Sequence, residues 1–489
     1  MGKKPDVLIY RESERAALQQ LAEPPGAGLG LLYGRRRVGK TYLLDRVWPE
    51  SRLFYFLAAD STFRMNRLDL LRDLAAWSGR PLDPEDYPTW RTVFRLFVDL
   101  ARDERLIVVL DEFQYLLGGE DDAASQLVAV WDREVGGAPL TLVLCGSEVS
   151  TMEQLREADQ PLYGRFDWSH RLQPFDYFDA GRMLSGRPDR EVAMAYGIFG
   201  GTPQYLDAIR PAERFSDAVC RTILAPGGSV RVQSENIVEQ EKGIRKPAEY
   251  RAVLAAVARG RTERNEIAAA AGLESRNETV RHILTRLQDL GLIWVERNFG
   301  APSNAPLRYR ISDNAVRFWY RFVETNRSLL AVGEAQDVWE RKIEPELSTY
   351  MGKIFEGICR EGFLRKHSQW GLPGPSEWAR WEGQDRSRRS VEIDIVARLS
   401  DGQMLTGEIK WSSKAVTASV HTALLRDLEA LAASGHSWAN SALPEAEGAR
   451  YIYFSAAGFT RDFRALQTAN ERILLVDLAE LYAGRATPS

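Results

Sequence analysis

Cysteine is scarce: Cys145, Cys220 and Cys359 are the only three in 489 residues, far apart and without the paired spacing of a zinc ribbon or a disulfide framework. Histidine is nearly as rare. His170, His282, His367, His421 and His436 are scattered, which leaves no ligand spacing for zinc. Long hydrophobic runs are missing too; apolar runs such as 106–110 have the length of a strand rather than of a membrane span. The N-terminus reads MGKKPDVLIY, with no apolar segment behind its two lysines, so no secretion signal is expected and a cytoplasmic location is. Neither sign of charge dominates, with 64 Lys plus Arg against 68 Asp plus Glu and a formal net charge of -4. A surface for nucleic acid would therefore have to be local. Nor is there an internal repeat, a low-complexity tract, a nucleophile elbow or a dinucleotide fingerprint.

What is present has the composition of an ordinary globular chain, 44% hydrophobic and 27% charged. Its length suggests two to four domains. Residues 1–225 alternate apolar runs, LGLLYG (29–34), RLFYFLAA (52–59), RLIVVLDE (105–112) and LTLVLCGS (140–147), with helical stretches. Continuous apolar strands between amphipathic helices predict a parallel sheet covered on both faces. A more helical tail from about 170, carrying Phe199, Gly200, Gly201 and Pro203, reads as a lid beside that sheet. APGGSV (225–230) is the clearest break, so a second segment is expected over 226–330. Helices are predicted at 248–259, 263–271 and 277–290, with Gly291 as a C-cap. LIWVERN and LRYRIS then alternate in period two around FGAPSNAP, completing a winged helix. From 331 to 489 the pattern returns to α/β, with strands EIDIVAR (392–398) and MLTGEIKW (404–411) joined by Asp401-Gly402.

The sharpest motif is GRRRVGKT, 34–41, which matches G-x-x-x-x-G-K-[ST] between a predicted strand and a predicted helix. Gly34 and Gly39 let the backbone wrap so that its N–H groups face phosphates, and the helix that follows adds its positive end. Arg37, Val38 and Tyr42 complete the candidate nucleotide contacts, Lys40 would bridge the β- and γ-phosphates, and the Thr41 hydroxyl would ligate Mg²⁺. LIVVLDEFQ then places Asp111 and Glu112 at the C-terminal edge of the sheet, where ligands sit in open α/β folds. Asp111 suits the metal, and Glu112 suits activation of the attacking water. Ser147 reads either as a further polar group at that edge or as a turn residue, and Arg165 either as a charge-stabilising finger or as a surface arginine.

These segments, GRRRVGKT, VVLDEFQYL, LVLCGSEVSTM, PLYGRF and FGGTPQYL, together with YRESERAALQQL (10–21), stand in the order that resembles archaeal-type P-loop ATPases, an AAA-like family related to the STAND NTPases. The resemblance implies ATP as the nucleotide, Arg11 and Glu12 near its base, and closure of the lid through Gly201 and Pro203. It extends over most of the chain, since family members continue into a winged helix and a nuclease-like C-terminal domain. The expected fold class is therefore α/β, a P-loop NTPase domain with a helical lid, then a winged helix-turn-helix, then an α/β restriction-endonuclease-like domain.

Two further constellations complete the reading. In the third helix of the winged segment, Val280, Ile283, Leu284, Leu287 and Leu290 form the inner face, leaving Arg276, Asn277, Arg281, Thr285 and Gln288 outside. Residues 245–297 hold ten Lys plus Arg against seven Asp plus Glu, which suits phosphate contacts by that helix; internal packing or protein contact is the alternative. In the last segment, Asp394 precedes Glu408 and Lys410 in a D-x(n)-E-x-K pattern, with Glu356 on the preceding helix as a fourth member. Asp394, Glu408 and Glu356 would hold Mg²⁺, and Lys410 would stabilise charge on phosphorus, as in PD-(D/E)xK nucleases. The proline such enzymes often carry before the aspartate is absent, Glu392-Ile393 standing there, which leaves cleavage open. Trp378, Arg380, Trp381 and the run Arg386, Arg388, Arg389 read as a strand-stacking surface or as core aromatics beside a solvated loop. The function expected is an Mg²⁺-dependent ATPase coupling nucleotide state to DNA binding and cleavage. The alternative is an ATP-gated signalling or assembly switch, able to form a homo-oligomer, whose C-terminal domain binds nucleic acid or protein without cutting.

Overall fold

The computed structural model describes residues 10–23, 26–119, 122–239, 241 and 244–485. The N-terminal stretch read for a secretion signal lies almost wholly outside them. Two compact units emerge, 1–174 and 175–489, and each is taken by itself.

The first unit is built on a five-stranded parallel sheet: β1 (Gly28–Tyr33), β2 (Leu53–Leu57), β3 (Leu106–Asp111), β4 (Leu140–Gly146) and β5 (Trp168–Arg171), in the order β2-β3-β4-β1-β5. Every residue of β1, β3 and β4 is buried. That explains why their sequences are continuous aliphatic runs rather than alternating ones. Helix Trp90–Asp103 supplies much of one layer. It begins in a capping box made by Thr89 and Thr92, and buries Trp90, Phe94 and Phe97 on one face. Each such ring contributes roughly 2–3 kcal/mol by area. The edge strand β5 was not expected; four half-buried residues, WSHR, carry too little apolar signal beside the helical pattern that follows.

The second unit begins with helices Tyr177–Met183 and Asp189–Phe199, so the stretch read as a lid is described with this unit. Helices Pro247–Ala258, Arg264–Ala270 and Asn277–Asp289 follow, then the antiparallel pair β6 (Ile293–Glu296) and β7 (Arg308–Ile311). Gly291, φ 71°, ends the third helix in the left-handed region where glycine is unstrained. The loop between β6 and β7 is not free. Phe299 N–H donates to the Arg380 carbonyl at 2.9 Å, Asn298 Nδ2 donates to the Glu382 carbonyl at 2.6 Å, and the Phe299 ring lies edge-on to Trp438.

That loop docks on a second five-stranded sheet, ordered β12-β11-β10-β9-β8, from β8 (Pro375–Gln384), β9 (Ser390–Leu399), β10 (Met404–Lys410), β11 (Ala449–Ser455) and β12 (Ile473–Asp477). β8, β9 and β10 are antiparallel neighbours, while β10, β11 and β12 run parallel. The parallel pairs need crossovers, supplied by helices Ser419–Ala433 and Arg461–Ala469. The long helix Glu344–Lys366 carries Phe355 and Glu356.

Candidate functional site

At the C-terminal edge of the first sheet, the phosphate loop leaves β1 and opens helix Lys40–Val47. Gly39 caps that helix at φ 98°, Arg37 stands at φ 71° and Gly34 at φ 154°. A Cβ on Gly34 would meet the Leu172 carbonyl oxygen at 2.4 Å, so the loop can be this tight only with glycine there. Lys40 is buried and curls back over the loop, Nζ donating to the carbonyls of Gly34 at 2.7 Å and Arg35 at 3.1 Å. Val38 is buried, and its carbonyl accepts from Arg11 Nη2 at 3.2 Å, which also reaches the Gln173 carbonyl at 2.6 Å. Arg11 thus braces the loop from behind. Arg37 is exposed, and Tyr42 lies beneath the Arg46 guanidinium.

The acidic end of β3 faces this loop. Thr41 Oγ1 donates to Asp111 Oδ2 at 3.1 Å, and the Tyr55 hydroxyl of β2 donates to the same oxygen. Burial, and then the Asp111 charge, push the Tyr55 hydroxyl well above the usual phenol range, so it stays a donor. Glu112 takes φ 54° and turns toward β4, where Ser147 Oγ donates to its Oε2 at 2.7 Å and Gln114 Nε2 donates to the same oxygen. Arg36 Nε reaches Ser147 Oγ at 3.5 Å. Lys40, Thr41, Asp111, Glu112 and Ser147 are therefore gathered at one edge. The tight glycine-dependent loop fits a phosphate chain, and a hydroxyl facing a buried carboxylate fits a hard divalent cation. Tyr55 and Gln114 had no assignment from the sequence; only the pairing of neighbouring strands brings them in.

Arg165 lies elsewhere in its unit, in a two-pronged ion pair with Asp132 at 2.9 and 2.7 Å and with Nη1 on the Pro161 and Tyr163 carbonyls. Pro203 begins helix Pro203–Asp207 in the second unit. There the preceding Gly201 is clasped against Phe175, whose N–H donates to the Gly201 carbonyl at 2.8 Å.

The second sheet gathers the other constellation. Asp394 on β9 accepts from Ile409 N–H at 3.0 Å, and Lys410 Nζ lies 2.5 Å from Glu408 Oε2 and 3.5 Å from Asp394 Oδ2. Burial and the neighbouring Asp394 raise the Glu408 carboxyl above its ordinary range, against the pull of Lys410. Lys410 is in turn held charged by both carboxylates, although burial opposes it. Lys410 thus supplies counter-charge to both carboxylates, and Asp394 and Glu408 are the residues that would hold a divalent cation there. Glu356 is turned aside to Lys353, 2.8 Å away. Among the described residues no group of three or more His, Cys, Asp and Glu side chains comes together for a metal. Trp381 is buried in the core beneath this sheet, and Arg389 pairs with Asp385 and Asp427.

Residues 8–209 match the family model of an ATPase domain predominantly from Archaea, and residues 319–421 match a model of archaeal and bacterial proteins of unknown function. Over that first segment the chain is thus similar to archaeal ATPase domains. An uncharacterized protein of Methanocaldococcus jannaschii is 24% identical over 413 residues, 83% of this chain and 88% of its own. A Walker-type ATPase of Pyrococcus abyssi is structurally similar at TM-score 0.49 and 23% identity, over 65% of this chain and 99% of its own. The ORC2 protein of Aeropyrum pernix, solved as ADPNP and ADP complexes, is similar at TM-score 0.45 and 16% identity, over 66% of this chain and 96% of its own. Among the described residues no helix is long and apolar enough to cross a membrane.

Proposed function

We propose that the chain is an Mg²⁺-dependent ATPase whose nucleotide state governs the action of its second unit on DNA. The observation that carries the reading is the edge formed by Lys40, Thr41, Asp111, Glu112 and Ser147. Lys40 would leave the loop carbonyls for the β- and γ-phosphates, and the loop N–H groups would cradle the phosphate chain. Thr41 and Asp111 would hold Mg²⁺, which when bound neutralises charge on the phosphates. Glu112, steadied by Ser147, would orient a water molecule and take its proton. Arg11 would lie near the base. Arg165 would have to release Asp132 before serving as a finger.

In the second unit, the three helices and the pair β6–β7 read as a winged helix. Asn277, Arg281, Thr285 and Gln288 of its third helix are exposed as DNA contact requires, whereas its wing loop is occupied by β8. Asp394, Glu408 and Lys410 read as a phosphodiester-cutting cluster of the PD-(D/E)xK kind, with the two carboxylates as metal ligands. A second reading, an ATP-gated switch that binds without cutting, is favoured by one observation: Glu356 pairs with Lys353 rather than joining that cluster.

The test uses purified protein with Mg²⁺, ATP and either supercoiled plasmid or single-stranded DNA. Phosphate release is expected from wild type and not from Lys40→Ala, and DNA nicking from wild type and not from Asp394→Ala. No turnover above the Lys40→Ala background would overturn the ATPase. Turnover with intact DNA would select the switch.

A further inference from the structure

Beside the Asp394 cluster lies a cavity of about 390 Å³ that the wing and the second sheet enclose together. Its wall includes Trp294 of β6, Arg317 of helix Asn314–Phe318, Arg360 of the long helix, Trp378 and Arg380 of β8, and Asp394 itself. The volume falls in the range of sites that take one small organic molecule, and is far too small for a duplex.

The state of its cations is telling. Arg310 and Lys353 in the lining are paired with Glu296 and Glu356. Arg317 and Arg360 have no carboxylate within ion-pair distance among the described residues. Arg317 spends one Nη on the Ile311 carbonyl at 2.6 Å, and Arg360 lies 5.3 Å over the Trp294 ring. Arg380 is 8% exposed and is held by Glu382 and Glu392, although its Nε is buried with no partner. Burial pulls the Arg317 pKa down, against the opposing pull of Tyr350, Glu356 and Glu296. The Arg317 and Arg360 guanidinium groups, next to half-buried tryptophans, ask for a ligand that is planar at one end and anionic at the other. Trp378 already rests on Phe363, centroids 4.9 Å apart, so its ring is held in place before any ligand arrives.

We propose that this cavity binds one unpaired nucleotide of a nucleic-acid strand, with its base against Trp294 or Trp378 and its phosphate on Arg317 and Arg360, so that the adjoining phosphodiester lies at Asp394. The placement at Asp394 rests on reading Asp394, Glu408 and Lys410 as the cutting cluster; the binding site itself does not. A substrate with a free or frayed end follows from it, because a paired base cannot enter.

The experiment measures binding of a fluorescein-labelled single-stranded oligonucleotide to the full-length protein by anisotropy, in EDTA so that nothing is cut. Trp294→Ala and Arg360→Met are each expected to weaken binding by about tenfold. Trp294→Phe, which keeps a stacking face, should recover most of that loss, and blunt duplex should show no such dependence. Thermal unfolding checks that the variants are folded. Unchanged oligonucleotide affinity in both folded variants would overturn the proposal. Adenosine monophosphate displacing the oligonucleotide at equal concentration would also overturn it, by showing that a free nucleotide is the occupant. If wild type cuts nothing in Mg²⁺ while Trp294→Ala still loses binding in EDTA, the nuclease reading fails and the cavity assignment stands.

Discussion

Glu112 sits at the one residue between β3 and its following turn where the backbone enters the left-handed region, at a cost of roughly 1–2 kcal/mol for a non-glycine residue. Local bonds offset that cost: its N–H donates to Asp111 Oδ1 at 2.9 Å, and its carboxylate receives Ser147 and Gln114. Strain held by bonds from three neighbouring residues aims a side chain, here away from Asp111 and toward β4. The two adjacent acids are thereby given different surroundings, one beside Thr41 and Tyr55, the other beside Ser147. Glu112→Gln keeps the shape and the bond from Ser147 but cannot accept a proton. It is expected to lower kcat about 10²- to 10⁴-fold while nucleotide affinity stays within a few-fold of wild type. Steady-state turnover with a separate fluorescent-nucleotide titration reads the two apart. A variant that loses affinity as much as rate would put Glu112 in binding instead of proton transfer.

Strand β10 is the element on which the second sheet depends, since it changes from antiparallel pairing with β9 to parallel pairing with β11. Gly407 lies opposite Ile395 on one side and Ile452 on the other, and a Cβ there would meet the Ile452 carbonyl oxygen at 1.8 Å. Gly407→Ala must therefore push β10 from β11 and carry Glu408 with it. A loss of about 3 kcal/mol is expected, seen as a lower Tm for the second unit's transition. A Tm unchanged to within a degree would mean that the strands separate there at no cost. Such closeness is invisible in GEIK as a string, yet the neighbouring features were legible. The turn at Asp401-Gly402 and the strands on either side were readable because aliphatics cluster between turn residues. The first sheet's inner strands were readable for the same reason, and the phosphate loop because its spacing has few other uses. β8 was missed because it is an edge strand in which Pro375, Glu377, Arg380 and Glu382 break any apolar run. β5 was missed because WSHR is short and polar. Tyr55 was missed because its partner, Asp111, comes from another strand, and no spacing along the chain encodes that meeting. The cavity beside Asp394 was illegible for the same reason, since eight separate elements wall it.

At the scale of the whole chain, the proposed ATP site in one compact unit and the proposed DNA contacts in the other make a statement that needs no geometry between them. If ATP alters the affinity for DNA by some factor, DNA must alter the affinity for ATP by the same factor, because the four states close a cycle. Glu112→Gln, which should hold ATP without spending it, makes the cycle measurable at equilibrium. Single-stranded oligonucleotide affinity with and without ATP, and ATP affinity with and without saturating oligonucleotide, are expected to shift equally, by about fivefold or more. Two ratios of one would mean that the units act independently and that nucleotide governs something other than DNA. Unequal ratios would expose a further linked equilibrium, and repeating both titrations at several protein concentrations would identify it. A ratio that grows with concentration is the mark of subunits associating, because assembly then enters the cycle as a third ligand. In that case the ATPase works by building a larger particle, and the sign of the shift tells whether ATP assembles it onto DNA or releases it.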